Sequence, residues 1–207
     1  MTFHVIYNAQ SLGVEHFPAA ALPNKHNEVN RMTNASEANS ENKASAIPIG
    51  YHTVTPWIIV KGAAQLISFL EEAFGAKETE GTRFYNSDGT IGHVELRIGD
   101  SVVMLFDSKP DWPATPTFLR LFVADGDAVY QRALKAGAVA ITALAHHFFG
   151  DTIGRVRDPA GNIWWIQTHL EDVEPEEMGR RMNGLNRFTE AMQEAQASLH
   201  RELSSRK

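Results

Sequence analysis

The chain has 207 residues, of which 43% are hydrophobic, so it can bury a sizeable core and full disorder is excluded. It contains no cysteine, which excludes disulfides, thiol catalysis and iron–sulfur clusters. The 19 Lys and Arg against 25 Asp and Glu give a formal net charge of −6, and no basic cluster is present. Nucleic-acid binding is therefore not expected, because backbone phosphates require a basic face.

The sequence also indicates where in the cell the protein lies and which part of the chain is poorly ordered. No apolar run approaches the roughly 18 residues that a membrane helix needs. Residues 1–10 lack the basic start and apolar core of a signal peptide, so we expect a cytoplasmic protein without membrane contact. Residues 1–46 are rich in Asn and other polar residues, which predicts a poorly ordered tail, because such a segment buries too little surface to offset its ordering entropy.

A regular pattern of elements begins after this tail. Residues 54–60 are rich in β-branched side chains and predict a strand, and residues 63–74 show helical spacing of apolar side chains, with Gly75 directly after them. Residues 78–85 predict a second strand. A hairpin follows, with strands over 93–98 and 101–107 around the turn Gly99-Asp100.

The same order of elements then occurs a second time. It comprises a strand over 118–123, a helix over 127–136, a strand over 139–145 and a hairpin of 151–157 with 163–168. The sequence therefore predicts two βαβββ modules, at about residues 52–108 and 116–168. Because one such unit cannot close its own sheet, two copies are expected to pair. The predicted fold class is α+β, an eight-stranded half-open barrel with its helices outside.

The last segment, residues 174–207, has apolar side chains at three- and four-residue steps, which predicts a C-terminal helix. Two interpretations remain open. The helix either packs on its own domain or pairs with a second copy as a coiled-coil seam. We expect a homodimer.

Two stretches resemble a known family. These are FGDTIGRVRDPAGNIWWI at residues 149–166 and HVELRIGD at residues 93–100. With the doubled module, they resemble the vicinal oxygen chelate superfamily, which includes glyoxalase I, bleomycin and fosfomycin resistance proteins and extradiol dioxygenases. Within it they are similar to the PhnB-like subgroup. The resemblance implies one domain of this superfamily over residues 47–173.

The resemblance also implies four metal-ligand positions, which metal-dependent members fill with His or Glu. In this sequence they fall on Thr55, Met104, Phe118 and Trp165, none of which is a good ligand for a divalent ion. We therefore expect a metal-free cavity without a cofactor. The alternative is a divalent metal such as Zn, Ni, Mn or Fe, held by His93 and Glu95.

Strand alternation indicates which side chains face that cavity. In the hairpin around Gly99-Asp100, Glu95 is expected opposite Met104 and His93 opposite Phe106. The complete predicted lining is Trp57, His93, Glu95, Met104, Phe106, Phe118, Arg120, Trp165 and Gln167. An aromatic wall with a few polar groups is typical of small-molecule pockets. Each aromatic ring could instead only fill the barrel, and Arg120 with Glu95 could form a structural ion pair.

Three functions follow from these features. The first is a binding protein that sequesters an aromatic or cationic small molecule through stacking and cation–π contact. The second is a lyase, isomerase or dioxygenase of the glyoxalase type, with a divalent metal as Lewis acid. A variant of this second function is an enzyme without a metal, in which Glu95 acts as general base. The third is a scaffold that acts through the C-terminal helix.

Overall fold

The first module is built around a parallel pair of strands at one end of its sheet. In the computed structural model, which describes residues 45–183 and 186–205, its elements are β1 (Trp57–Val60), α1 (Ala63–Phe74), β2 (Lys77–Glu78), β3 (Phe84–Tyr85), β4 (Ile91–Ile98) and β5 (Ser101–Asp107). The sheet order is β1-β5-β4-β2, and β3 also pairs with β4. All but the last two residues of the predicted N-terminal tail lie outside the described residues.

Helix α1 has the bounds that its sequence predicts, because a glycine flanks each end. Gly62 and Gly75 both adopt left-handed conformations, and the last turn is closed by the backbone N–H of Gly75, which donates to the carbonyl of Glu71, and by that of Ala76, which donates to Leu70. The two N-terminal amides of the helix, from Gly62 and Ala63, donate to Oδ1 of Asp107 at 2.8 Å each. The last residue of β5 therefore anchors the start of α1.

The second strand is not continuous, and the prediction of one strand over 78–85 is wrong in this respect. The chain turns between β2 and β3, where the hydroxyl of Thr82 donates to the carbonyl of Thr79 at 2.8 Å. The same hydroxyl oxygen accepts the backbone N–H of Glu95 at 3.1 Å, which pins the turn against β4. The module therefore has five strands, of which two are very short.

The second module repeats the arrangement with four strands. Its elements are β6 (Phe118–Phe122), α2 (Gly126–Lys135), β7 (Val139–His146), β8 (Asp151–Arg157) and β9 (Ile163–His169). The sheet order is β6-β9-β8-β7, with β6 and β9 parallel. The side chain of Asp125 accepts the backbone N–H of Ala128 at 2.9 Å and so caps the start of α2.

The two helices pack against each other, and each lies on the inward face of its own sheet. Ile58, Leu96 and Leu105 of the first module and Trp164 and Ile166 of the second are fully buried in one shared core. Phe74 of α1 lies 4.9 Å from the ring of Trp164, between centroids. Apolar burial against the helices therefore joins the modules, and among the described residues no strand pairing links the two sheets.

The predicted C-terminal helix is two helices in the structure, α3 (Pro175–Asn183) and α4 (Asn186–Ser204). Helix α4 contacts β7, and Ser198 of α4 is buried where its Oγ accepts from Nη1 of Arg155 at 3.0 Å. Glu202 forms an ion pair with Arg157 at 2.8 Å. These contacts correspond to the first interpretation, packing on its own domain. In the described ranges no helix combines the length and apolar character needed to cross a membrane.

The mixed α+β architecture with a doubled βαβββ module is confirmed. In each sheet the residues predicted to line the cavity lie on the face opposite the helix, which is the outward face in this description. The proposed domain boundaries at residues 47, 173 and 174 stay predictions.

Candidate functional site

Three strands bring the first set of predicted residues into one row. In the parallel β1–β5 pair Trp57 lies opposite Met104, and in the antiparallel β4–β5 pair Met104 lies opposite Glu95. Directly opposed residues share a face, so all three point outward, away from α1. The predicted pairing of Glu95 with Met104 is confirmed.

Aromatic rings cover this outward face. Trp57 is 55% exposed, and its ring meets Phe106 edge-on at 5.5 Å and His93 at 6.4 Å, between centroids. Phe106 in turn contacts Trp112, in the loop after β5, at 6.3 Å. An exposed indole supported edge-on by neighbours offers a flat apolar surface on which a second ring can stack.

Beneath these rings lies a buried carboxylate. Glu95 is 7% exposed, and its Oε2 accepts a hydrogen bond from the hydroxyl of Tyr51 while its Oε1 lies 3.4 Å from Nε2 of His93. The hydrogen bond to this carboxylate is the largest cause that raises the pKa of Tyr51 above its usual value, since it favours the protonated phenol. Glu95 is therefore a carboxylate in contact with two groups that can exchange protons.

The sequence did not identify Tyr51 as a site residue. It precedes β1 in a segment without strand or helix periodicity, so no pattern marks it.

The second module carries a different row. Trp165 of β9 lies opposite Arg120 of β6 and opposite Arg155 of β8. The guanidinium carbons lie 4.9 Å (Arg120) and 4.5 Å (Arg155) from the centroid of the indole ring, which places both cations in cation–π contact with it. Burial lowers the pKa of Arg155 from its usual value. Alternation along β8 could have identified Arg155, because it shares the face of Trp165.

Further along this face a chain of polar groups runs from the buried Gln167 and Asp151 to the exposed His169 and Asp172. Nε2 of Gln167 donates to Oδ2 of Asp151, and Oδ1 of Asp151 lies 2.6 Å from Nδ1 of His169. Nε2 of His169 lies 2.9 Å from Oδ1 of Asp172. The hydrogen bonds to Asp151 and then to Asp172 raise the pKa of His169 above its usual value. Each ring nitrogen of His169 is therefore in contact with a carboxylate.

The edge strand β6 leaves its apolar side chains uncovered. Phe118 and Phe122 lie on either side of Arg120, on the same outward face, and both are exposed. Directly after β7, which ends at His146, the ring of His147 stacks on Phe149 at 5.2 Å between centroids. Burial lowers the pKa of His147 from its usual value.

The structure thus divides the predicted lining into two half-sites. The first half-site comprises Trp57, His93, Glu95, Met104 and Phe106, and the second comprises Phe118, Arg120, Trp165 and Gln167. They lie on separate sheets, each on the face opposite the helix that packs on that sheet. The contacts of Glu95 are Tyr51 and His93, whereas Arg120 stacks on Trp165, so the anticipated pair of Glu95 with Arg120 is not formed.

Two clefts lie outside both half-sites. One, of about 280 Å³, lies between the modules beside Pro116 and Pro159, and the other, of about 670 Å³, lies before α1 between Lys61 and Lys109. Neither is lined by a residue of the predicted cavity.

The donor set does not fit a divalent metal. The four positions implied by the resemblance hold Thr, Met, Phe and Trp, and the two remaining donors, His93 and Glu95, lie beside each other on β4. Within residues 45–183 and 186–205 no group of three or more His, Cys, Asp or Glu side chains is arranged to hold a metal ion. A protein site for zinc ordinarily has at least three such ligands.

The sequence was compared with protein families and with individual proteins. Residues 50–166 match the family model described as Glyoxalase/Bleomycin resistance protein/Dioxygenase superfamily. An uncharacterized protein of Mycobacterium bovis is 36% identical over 141 residues, which cover 63% of this chain and 91% of that protein.

Solved structures are similar at lower identity. TioX from Micromonospora sp. ML1 is 20% identical with a TM-score of 0.46, covering 59% of this chain and 100% of TioX. The genomically encoded fosfomycin resistance protein FosX from Listeria monocytogenes is 14% identical with a TM-score of 0.47, covering 61% of this chain and 97% of FosX.

Proposed function

The chain belongs to the glyoxalase/bleomycin resistance protein/dioxygenase superfamily, and we propose that it binds an aromatic small molecule, without a metal or other cofactor, between the two half-sites. The observation that carries this proposal is the exposed indole of Trp57, which contacts Phe106 edge-on and lies in the row that continues through Met104 to the buried carboxylate of Glu95. A flat apolar surface next to a few fixed polar groups suits a planar ligand, because the ring gains stacking and the polar groups set its orientation.

Of the two ligand classes that the sequence suggests, aromatic and cationic, the contacts favour the aromatic one. A cation binds over the face of an aromatic ring, and two guanidinium groups already contact the ring of Trp165. This indole is therefore less available to a cationic ligand. Both oxygens of Glu95 have protein partners, so this carboxylate is less available to a cation. Trp57 remains the place where a cationic group on the ligand would be recognised.

We further propose that a second copy of the chain completes the site. The strands β1 and β6 lie at the ends of their sheets, and the exposed rings of Trp57, Phe118 and Phe122 lie on or beside these edges. An edge strand with uncovered apolar side chains favours association with another chain. In a homodimer that sets the first half-site of one protomer against the second half-site of its partner, all nine predicted residues would surround one cavity.

The binding proposal can be tested with a panel of neutral, cationic and anionic aromatic compounds, measured by isothermal titration calorimetry and by quenching of tryptophan fluorescence. We expect Trp57→Ala, Phe118→Ala and Trp165→Ala each to weaken binding about tenfold or more, since a stacked ring contributes roughly 1–3 kcal/mol. Leu170→Ala removes an exposed apolar side chain outside both half-sites and serves as the control. Unchanged affinity in all three aromatic variants would show that the half-sites do not bind the ligand.

A second candidate is catalysis with Glu95 as general base. It is favoured by one observation, the contact of this carboxylate with Tyr51 and His93 beside an exposed aromatic surface. In the metal-dependent form, a lyase, isomerase or dioxygenase would hold its ion through His93 and Glu95. Elemental analysis of the purified protein tests that form. A stoichiometric divalent metal that is lost in both His93→Ala and Glu95→Ala would replace the metal-free proposal.

A further inference from the structure

Gln167 has one hydrogen-bonding atom satisfied and the other not. Its Nε2 donates to the carboxylate of Asp151, which fixes the orientation of the amide, because a carboxylate oxygen accepts and the amide oxygen cannot donate. The remaining atom, Oε1, is buried and has no hydrogen-bond partner among the described residues. The side chain as a whole is only 3% exposed. A buried acceptor without a donor is unfavourable, so this oxygen is suited to receive an N–H or O–H group.

This acceptor lies on the ligand face of the second module. Gln167 follows Trp165 by two residues on β9, so both side chains point outward, and its opposite residue on β6 is Phe122. The row of Arg120 and Trp165 lies one two-residue step away, about 7 Å along the strands. An acceptor and a cation are therefore separated by roughly the length of one substituted aromatic ring.

Arg120 supplies the cation of this pair. Its side chain is exposed, it contacts the indole of Trp165, and within the described part of the chain it forms no ion pair with a carboxylate. Its guanidinium matches a carboxylate with two parallel N–H donors, a geometry that a single ammonium cannot offer. Arg155, which also contacts this indole, donates to Ser198 of α4 and adds a second positive charge to the row.

The carboxylates near this face already have partners. Asp151 accepts from Gln167 and contacts His169, and Glu202 of α4 is paired with Arg157. Arg155 is buried under α4, so the exposed guanidinium of Arg120 is the cation of this row that a ligand can reach. Beside it Phe122 offers an apolar surface that is 65% exposed.

We propose that the second half-site binds an aromatic carboxylate that carries an O–H or N–H donor at the opposite end of its ring. The carboxylate pairs with Arg120, which Trp165 holds in place, the donor bonds to Oε1 of Gln167, and the ring packs against Phe122. This assignment rests on the proposed small-molecule function and names the ligand class for that site.

The test compares three probes by isothermal titration calorimetry with the full chain. They are 4-hydroxybenzoate, benzoate, which lacks the donor, and 4-hydroxybenzyl alcohol, which lacks the charge. We expect 4-hydroxybenzoate to bind about tenfold or more tightly than either analogue, because each analogue leaves one protein group unpaired.

Two variants separate the contributions. Arg120→Gln is expected to reduce the affinity for 4-hydroxybenzoate and for benzoate, and to leave the alcohol unchanged. Gln167→Leu is expected to make the two carboxylates bind equally while benzoate keeps its affinity. Lys77→Gln, which removes an exposed cation from β2 of the other module, is the charge-matched control and should bind all probes as the unmodified chain does. If Gln167→Leu does not fold, the comparison of the three probes and the Arg120→Gln variant still test the proposed subsite.

The outcomes also separate this inference from the proposed function. Equal affinity for all three probes, or an Arg120→Gln variant that binds 4-hydroxybenzoate normally, would overturn the subsite while aromatic binding stands. Binding of neutral or cationic aromatics alone, lost in Trp57→Ala, would do the same. If no aromatic compound of any charge binds, the proposed function fails as well.

Discussion

Asp158 accepts a hydrogen bond from the indole Nε1–H of Trp164 at 2.9 Å, beneath the turn that joins β8 and β9. The same carboxylate accepts the backbone N–H of Asn162 at 2.9 Å and its side-chain amide at 2.8 Å. Oδ1 of Asn162 accepts from the backbone of Thr117, directly before β6, at 3.0 Å. Since Trp164 also packs on Phe74 of α1, one buried carboxylate connects the turn, the start of the second module and the core that joins the modules.

The first prediction concerns the substitution Asp158→Asn. An asparagine has a single acceptor oxygen and would place its own N–H₂ group against the donors of Asn162 or Trp164. We expect the free energy of unfolding to fall by about 1–3 kcal/mol, the cost of leaving a buried donor unsatisfied. Urea unfolding at pH 7 measures the effect, with the exposed Asp111→Asn as control. Equal midpoints for Asp158→Asn and the unmodified chain would contradict this role for the carboxylate.

The second prediction concerns the pH dependence that Asp158 produces. Burial raises the pKa of this carboxyl above its usual value of 3.8, although its hydrogen bonds act in the opposite direction. The unfolded chain therefore loses this proton at a lower pH than the folded chain does. The contribution of Asp158 to stability is greatest below the usual pKa and is lost as the pH rises through the raised folded value. Unfolding measured from pH 3 to pH 7 should show this fall in the unmodified chain, and Asp158→Asn should lack it.

The third prediction concerns His169, whose titration affects stability at a higher pH than that of Asp158. Its hydrogen bonds to Asp151 and Asp172 raise its pKa above the usual 6.5. The stabilisation is therefore fully present below pH 6.5 and is lost as the pH rises through the folded pKa. We expect His169→Gln to lower the urea midpoint at pH 6 and to have little effect at pH 9. An NMR titration that places the pKa of His169 at or below 6.5 would contradict the two hydrogen bonds.

The fourth prediction compares two glycines, Gly154 in the second module and Gly179 in α3. A Cβ atom on Gly154 of β8 would lie 3.0 Å from both Leu144 and Tyr130 in the core. We expect Gly154→Ala to reduce the free energy of unfolding by about 1–3 kcal/mol, because the site is already filled. Gly179 of α3 has open space around it, and Gly179→Ala should increase stability by up to about 1 kcal/mol through helix propensity. Thermal unfolding of both variants gives the comparison.

Much of the fold could be predicted because alternation and turn residues are local signals. The bounds of α1 follow from Gly62 and Gly75, and the register of Glu95 with Met104 follows from the Gly99-Asp100 turn. The interruption between β2 and β3 could not be predicted in this way. It depends on the hydroxyl of Thr82, which bonds across to β4, and no sequence period reports such a contact.

The sequence could predict which face of its sheet each site residue lies on. It could not predict how the two faces are arranged relative to each other. Alternation shows that Arg120 and Trp165 share one face and that Trp57 and Met104 share another. Which faces meet is decided by the packing of α1 against α2, a contact between segments far apart in sequence. The burial of Arg155 likewise depends on α4, whose position on the second sheet no strand pattern indicates.

The proposed homodimer makes the last prediction, at the uncovered edge strand β6. If the ring of Phe122 lies against the first half-site of a partner protomer, Phe122→Asp places a charge in an apolar contact and should dissociate the dimer. Mass measured by light scattering after size exclusion tests this, and circular dichroism confirms that the variant is folded. Leu170→Asp introduces the same charge at another exposed apolar position and should leave the dimer intact. A monomeric unmodified chain, or a Phe122→Asp variant that stays dimeric, would contradict a site completed by a second copy through β6.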